Sequence, residues 1–580
     1  MSTVLNGKDR FTLPMYRSLW GPAMLSSIGW ALSDMADAVV VGQKLGTVGL
    51  AAIGLILPIY MINCAVVHGF GIGGSIQFSK LLGAGQNEEA KKNFSSITLV
   101  AFFISVLTAI IGLLCIDSVL ALLGTVKSDG MLFKATKDYL KVLLLATPLF
   151  YLSNLLNYYL RNDEEQKRAG IGSVVGNIVD ITCNITFVIV FEWGTFGAAL
   201  STAIGQIVSI SIYLPALWNK NNHLKLCRIQ WENICYAFSC MKLGAATSVK
   251  YLYQVVFFLI CNNVLIRMGG ENGVAVFDLI QNTSYLILYL YEGTARAMQP
   301  LISTYQGEHN LIGKKNICKI GFISGNIVGL LLIAYIVICP SGLCHLFGIS
   351  GTEVEHLAYL ALRIYAFGAI FAGMNILICN YYQSCEQEKA SFFIETLRGA
   401  IILLPLTVFF ANLQLEYFWW LFPCTEISCF LLFLLFKKRF IIQEIDNKRV
   451  FQKIIQGNEN DIGFVIQEVN EFCEIWEGTI KQQYFITMTI EELCLAILTH
   501  GFQGKSDGYI QITLIALENK KFEVHLRDNA VEFNPFALKD NKVNDIDADF
   551  NAMGVMVIKK QSEEFFYRRY QGFNSLILRI

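Results

Sequence analysis

From about Leu19 to Phe436 the chain is almost unbroken apolar sequence, and that run decides most of what it can become. Inside a bilayer no water satisfies backbone N–H and C=O groups, so such a chain folds as α-helices that close their own hydrogen bonds. The 580 residues are 54% hydrophobic and 16% charged, with a mean hydropathy of +0.49, which excludes an ordinary water-soluble globule. At Lys437-Lys438-Arg439 the regime changes: charge density rises and apolar residues begin to alternate, as in a soluble α/β domain. A net charge of −1 gives nucleic-acid binding no electrostatic footing. The 16 cysteines lie singly in apolar runs, as at Cys64, Cys183 and Cys261, without the spacing of a zinc site or a disulfide framework. The polar start (Met1 to Arg17) is not followed by a cleavage motif, so no removable signal peptide is expected.

A crossing helix needs about 20 apolar residues. By that measure twelve spans are predicted, centred near residues 30, 61, 105, 146, 179, 206, 254, 288, 327, 368, 401 and 428. Basic residues collect on alternate connections: Lys80, Lys91 and Lys92; Arg161, Lys167 and Arg168; Lys220, Lys225 and Arg228; Lys314, Lys315 and Lys319; and Lys389. The positive-inside rule puts these, both termini and everything after Arg439 on the cytoplasmic side. The bundle is duplicated. Leu82-Gly83-Ala84-Gly85-Gln86-Asn87 after the second span is echoed by Tyr305-Gln306-Gly307-Glu308-His309-Asn310 after the eighth. Tyr158-Tyr159 with Glu165-Gln166-Lys167 is echoed by Tyr381-Tyr382 with Gln387-Glu388-Lys389. Two six-helix repeats around a central cavity are a secondary-transporter architecture, worked by rocking one half against the other.

Four segments carry a family resemblance: Ser33-Asp34-Met35-Ala36-Asp37-Ala38-Val39-Val40-Val41-Gly42, the Leu82–Ala90 loop, Gly197-Ala198-Ala199-Leu200-Ser201-Thr202, and Gln299-Pro300-Leu301. Together they resemble the multidrug and toxic compound extrusion (MATE) transporters over about residues 10–440. The resemblance implies a twelve-helix exporter in a bacterial cytoplasmic membrane, moving organic, often cationic amphipathic drugs against a proton or sodium gradient, with no cofactor for transport. Relatives that flip lipid-linked precursors keep a flippase as an alternative.

Ionisable residues in spans are costly, by roughly 2.5–3.5 kcal/mol on insertion scales, and are therefore candidates for function. The N-terminal half offers Asp34 and Asp37, on one face of the first span, and Asp180 on the fifth. The resemblance gives Asp37 the cation-coupling position; its alternative role is a packing hydrogen bond. On the fifth span the family's Asn-then-Asp order is exchanged, to Asp180 and then Asn184, which moves the proton site by one turn. Thr202 matches a polar lining position but can also bond its own helix backbone. The C-terminal half offers Lys250, Asp278, Glu292, Arg296, Glu395, Arg398 and Glu426. Glu292 and Arg296 are spaced for an internal ion pair, and Lys250 is set against Asp278. Asp278 and Glu292 are the cavity candidates, with tyrosines such as Tyr251, Tyr253, Tyr285 and Tyr289 available to stack on a cation.

Beyond Asp461, Val465, Val469, Phe472 and Trp476 mark one amphipathic helix, Ile490, Leu493 and Ile497 a second, and Ala552–Lys560 a third. Two strands flank Glu518-Asn519-Lys520, and a closing hairpin turns at Gln571-Gly572. Glu491-Glu492-Leu493 through Gly501-Phe502, Asp528-Asn529-Ala530, and Ala552-Met553-Gly554-Val555 with Gly572-Phe573-Asn574 resemble the ATPase-like fold of bacterial anti-sigma-factor serine kinases, kin of histidine-kinase ATP domains. The resemblance makes Glu492 the base, Asp528 the adenine reader and Gly554 a phosphate-side glycine. The chain departs from it at Ala496, where the magnesium-binding Asn belongs, and at Ala530 and Ala552, where glycines belong. Alanine cannot ligate a metal, and its Cβ hinders close backbone approach. The expectation is weak or metal-independent ATP binding, or none, and a regulatory rather than catalytic tail.

The predicted fold is thus a polytopic α-helical membrane protein of twelve transmembrane helices in two six-helix repeats (1–225 and 226–440), a linker (441–460) and a cytoplasmic α/β two-layer sandwich (461–580). Expected partners are organic cations, a proton or sodium ion, membrane lipid and a cytoplasmic regulatory protein at the tail. The competing reading is a membrane-tethered ATP-dependent serine kinase whose transporter-derived part is a sensor.

Overall fold

A computed structural model describes residues 10–123, 125, 127, 130–219, 222–228, 231–346, 352–440, 446–456, 459–503, 508–537 and 546–580. The chain divides into two compact units, one of Tyr16–Ile442 and one of Gln443–Ile580 that also includes the N-terminal segment ending at Met15.

The larger unit is helical throughout. Its N-terminal half consists of α1 (Thr12–Gly83), α2 (Asn87–Leu114), α3 (Ile116–Leu122), α4 (Met131–Asn162), α5 (Gln166–Asn184) and α6 (Gly194–Tyr213). Its C-terminal half consists of α7 (Trp231–Gly307), α8 (Leu311–Ile338), α9 (Pro340–Leu346), α10 (Thr352–Ser384), α11 (Glu388–Thr396), α12 (Leu403–Phe410), α13 (Leu415–Phe418) and α14 (Leu421–Phe436). Ten segments among the described residues are long and apolar enough to cross a membrane. The other two expected spans, centred near residues 30 and 288, lie within α1 and α7, each an uninterrupted run of helical backbone. Leucine, isoleucine and phenylalanine side chains face outward along the bundle, among them Leu99, Phe103, Leu331 and Leu435. That inversion of the soluble pattern is what a lipid-facing surface requires.

The duplication is visible in the backbone as well as in sequence. α2 and α8 are each 28 residues long, and each is followed by a 7-residue helix, α3 or α9. The turn after α1 places Gly85 at φ 77°, and the corresponding turn after α7 places His309 at φ 55°. The turn between α4 and α5 has Glu164 at φ 67°, and that between α10 and α11 has Glu386 at φ 61°. Left-handed φ is uncommon outside glycine, so retaining it at matched positions marks the two halves as copies of one architecture.

The smaller unit is a five-stranded antiparallel sheet of order β1-β2-β3-β5-β4, with β1 Val450–Gln456, β2 Tyr509–Ala516, β3 Phe522–Asp528, β4 Glu564–Tyr570 and β5 Phe573–Arg579. Its helices are α15 (Glu459–Ile475), α16 (Ile480–Ala496) and α17 (Ile546–Gln561). Alternation does the folding work here. Ile510, Ile512 and Leu514 of β2, Val524 and Leu526 of β3, and Leu576 and Leu578 of β5 form one core with Val465, Val469, Ile486, Ile490, Leu493 and Ile558 of the helices. The β4–β5 hairpin turns at Gln571 (φ 52°) and Gly572 (φ 84°), the two consecutive left-handed residues that match the right-handed twist of the strands. One boundary needs correction. The stretch expected as linker, 441–460, contains β1, which pairs with β2 from Val450↔Ile515 to Gln456↔Tyr509. The polar residues of Val-Phe-Gln-Lys-Ile-Ile-Gln suit an edge strand, and in sequence they pass for a linker.

Candidate functional site

A cavity of about 540 Å³ opens between the two halves of the helical unit. Its N-terminal wall is built by α1, α4, α5 and α6. Asp180 of α5 lines it and is 6% exposed. The Ser33 hydroxyl on α1 donates to Asp180 Oδ2 at 2.9 Å. Thr202 lines the same wall, but its hydroxyl, like that of Ser201, is turned to the Ala198 carbonyl of its own helix. Asn184, expected beside Asp180, is fully buried outside the lining; the amide of α5 that lines the cavity with Asp180 is Asn177, one turn earlier. The side chains of Asp34 and Asp37 lie outside the described residues.

The C-terminal wall carries two ion-paired clusters. In the first, Glu292 bridges Lys250 Nζ (2.6 Å) and Arg296 Nη2 (3.2 Å), and all three line the cavity. The pairing of Lys250 with Glu292 replaces the expected one with Asp278. That residue is exposed and lies outside the cavity lining. Arg296 also lies over the Trp30 ring, 4.0 Å from its centroid, and donates to Ser27 Oγ at 3.3 Å, so this cluster reaches across to α1. In the second cluster Arg398 Nε meets Glu426 Oε1 at 2.5 Å, while Asn375 Nδ2 donates to Glu426 Oε2 at 2.8 Å. Glu395 lines the cavity beside them. Four carboxylates thus stand against three fixed cations in the described lining, between walls that include Tyr60, Tyr251, Tyr285, Tyr289 and Phe422. The sequence reading also passed over His68, whose Nδ1 shares a 2.8 Å hydrogen bond with the Tyr158 hydroxyl and whose ring stacks on Tyr251 at 5.1 Å. As an ionisable side chain within a span it meets the same criterion that picked out the carboxylates.

At the end of the cavity marked by Lys80 the halves touch directly. A Cβ added at Gly73 would collide with the Cys240 carbonyl, at Gly244 with the Gly69 backbone, at Gly83 with the Thr304 carbonyl and at Gly307 with that of Lys80. Small residues let helix backbones approach in this way within a membrane. Lys80 Nζ pairs with Glu386 Oε2 at 2.7 Å over the same seam, and Gln299 Nε2 donates to Ser75 Oγ at 3.0 Å.

In the smaller unit Gly554 of α17 lies against Glu492 of α16, and Asp528 closes β3. Asp528 is 1% exposed; its Oδ1 accepts from Asn574 Nδ2 at 2.7 Å and from the Ala530 N–H at 2.9 Å. A Cβ on Gly554 would meet the Glu492 carboxylate, so a larger residue there requires that side chain to turn aside. Burial, with Glu491 adding to it, raises the pKa of Glu492. Ala496 is 1% exposed within the apolar core, so no oxygen stands where a magnesium ligand belongs. Among the described residues this position therefore offers no side-chain ligand to the magnesium of a magnesium–nucleotide complex.

Two carboxylates give this unit a pH signature. Burial pushes Asp528 up to about 6 against the pull of its two hydrogen bonds. For Glu523 burial also acts upward, but His525 and Arg579 outweigh it and hold the group at about 2. The folded pKa of Asp528 lies above the roughly 3.9 of an unfolded chain, so the folded state binds the extra proton and stability falls as pH rises from about 4 to about 6. Glu523 works in the opposite sense: its contribution is present above pH ~4.3 and is lost as pH falls toward 2. Amide exchange of β2 and β3 in the full chain is expected to slow as pH falls from 6 to 4, once corrected for intrinsic rates, by an amount on the order of 3 kcal/mol. Asp528→Asn is expected to flatten that slope.

A duplicated, multi-pass helical bundle with a charged and aromatic central cavity, joined to an ATPase-like sandwich, defines the class of the molecule. The chain belongs to the MatE family, whose model matches residues 22–186 and 246–409. The model for the Histidine kinase-like ATPase domain matches residues 457–580. Among relatives, "Multidrug export protein MepA" of Staphylococcus saprophyticus is 24% identical over 417 residues, covering 70% of this chain and 87% of the relative. Its namesake in Staphylococcus aureus is 23% identical over 443 residues, covering 74% and 92%. Solved structures share the fold of the helical unit. One described as an outward-facing conformation of a multidrug resistance MATE family transporter of the MOP superfamily superposes with a TM-score of 0.69 at 21% identity, covering 75% of this chain and 98% of that one. A MATE in complex with MaL6 gives 0.68 at 22% identity, covering 73% and 96%.

Proposed function

We propose that the chain is a gradient-driven exporter of organic cations, seated in a bacterial cytoplasmic membrane with both termini in the cytoplasm, and that its ATPase-like tail regulates transport. The observation that carries the reading is the cavity itself: aromatic walls, an excess of carboxylates, and the N-terminal carboxylate Asp180, which Ser33 holds and which pairs with no fixed cation among the described residues. An aromatic, net-acidic enclosure suits a cationic aromatic guest. A buried carboxylate without a counter-ion suits the exchange of a proton or sodium ion against that guest. The names of the staphylococcal relatives point the same way, and the alternation of basic connections supports the orientation. The closed Lys80 end then corresponds to a state open away from the cytoplasm.

Efflux of a planar aromatic cation such as ethidium, from cells producing the full chain, tests this reading. Asp37→Asn and Asp180→Asn are each expected to abolish efflux driven by an imposed proton or sodium gradient while leaving the amount of protein in the membrane unchanged. Full efflux by both variants would remove the coupling role. For the tail, the full chain is expected to show no magnesium-dependent ATP turnover, because Ala496 supplies no metal ligand; phosphorylation of a serine partner in the presence of magnesium would restore the kinase reading.

A further inference from the structure

The segment ahead of the first span is packed into the tail. Phe11 is 1% exposed. Its ring meets Tyr509 edge-on at 4.8 Å and Phe573 at 5.0 Å between centroids. The Tyr509 hydroxyl donates to the Arg10 carbonyl at 3.4 Å, and the Arg10 guanidinium lies 5.6 Å from the centre of the Tyr509 ring. Thr12 and Met15 are fully buried as well. An aromatic anchor fixed by two edge-to-face contacts and a cation over a neighbouring ring is the pattern of a recognition contact.

Its position on the sheet matters. Even-numbered residues of β2 and β5 face the helices, so odd-numbered Tyr509 and Phe573 lie on the opposite face. Their chain neighbours Ile510 and Asn574 are the two register partners of Asp528, and Asn574 holds the Asp528 carboxylate. Phe11 therefore docks on the back of the strand ends whose front bears Asp528. Helical backbone begins at Thr12 and runs without interruption through Asp34 and Asp37.

We propose that residues 10–15 are a built-in ligand of the tail, with Phe11 as anchor, and that the tail acts on the transporter through this segment and the first span rather than through the connection after Arg439. The proposal rests on the regulatory reading of the tail. A change at Asp528 and Asn574, whether from a bound small molecule or a protein partner, reaches Phe573 across a single peptide and so alters the seat of Phe11. The tail is thereby tied to the chain at both ends of the transporter, and only the N-terminal tie leads straight into the span that carries Asp34 and Asp37.

The test uses the full chain in three forms: Phe11→Ala, Phe11→Leu, and a flexible glycine–serine insertion after Phe440. Phe11→Ala is expected to speed amide exchange at Tyr509–Gln511 and Phe573–Ser575 about a hundredfold. It is also expected to change ethidium efflux about fivefold or more, while the insertion leaves both unchanged. Phe11→Leu, which keeps apolar bulk but loses the ring edges, is expected to fall between wild type and Phe11→Ala, which distinguishes a lost anchor from a misfolded tail. Unaltered exchange in Phe11→Ala would overturn the docking. Efflux that responds to the insertion and not to Phe11→Ala would overturn the route. Efflux indifferent to every form, with exchange accelerated as expected, would remove the regulatory reading itself and the proposal with it.

Discussion

Glu292→Ala is expected to strip the cavity of function and most of its stability together. The carboxylate is the shared counter-ion of Lys250 and Arg296, and the three side chains are 13–22% exposed. Removing one member of such a cluster leaves like charges facing each other in a poorly solvated space, which costs about 3–5 kcal/mol where pairs are buried. We expect a marked fall in the amount of folded protein extracted from membranes and loss of ethidium efflux. A second variant separates the two effects. Replacing all three residues together by apolar ones of similar volume (Lys250→Met, Glu292→Leu, Arg296→Met) removes the desolvation burden with the charges, and stability is expected to return. If efflux returns as well, the cluster is only a brace. If stability returns without efflux, the charges serve the transported ion or the substrate.

Gly244→Leu is expected to block the transport cycle by a different route. The obstacle at this position is the Gly69 backbone, which cannot rotate aside as a side chain does. A leucine there forces the halves apart at the Lys80 seam and costs about 1–3 kcal/mol or more in local strain. Cys240, one turn earlier on α7 and 3% exposed, reports the result. It is expected to resist maleimide in the wild-type closed state and to label in Gly244→Leu, with efflux lost. A labelled but fully active variant would show that closing this seam is not a step in transport.

How much of this was legible in sequence follows from what sequence encodes. Span lengths, the duplication and the break at Arg439 are carried by composition and repeat, and those read through. The core of the tail was equally plain, because alternation at Ile510, Ile512 and Leu514 is local. Asp180, Thr202 and Glu292 line the cavity as expected, and what failed elsewhere depends on which way a helix is turned. A carboxylate can be found on a span, but only packing decides that Glu292 faces the cavity and Asp278 does not, or that Asn177 rather than Asn184 accompanies Asp180 there. The partner of Lys250 was misassigned for the same reason, since helix rotation and not proximity in sequence selects it. β1 was missed because an edge strand with Gln452, Lys453 and Gln456 carries the chemistry of a linker.

That edge strand has a practical consequence for anyone who excises the tail. A fragment cut where the ATPase-like match begins, at residue 457, would discard the whole of Val450–Gln456. β2, whose residues from Ile510 to Ala516 are all buried, would become the rim of a four-stranded sheet with its backbone N–H and C=O groups bare. Unpaired apolar rims recruit other chains. Insolubility of such a fragment would therefore report the choice of its first residue, and a usable one starts ahead of Val450.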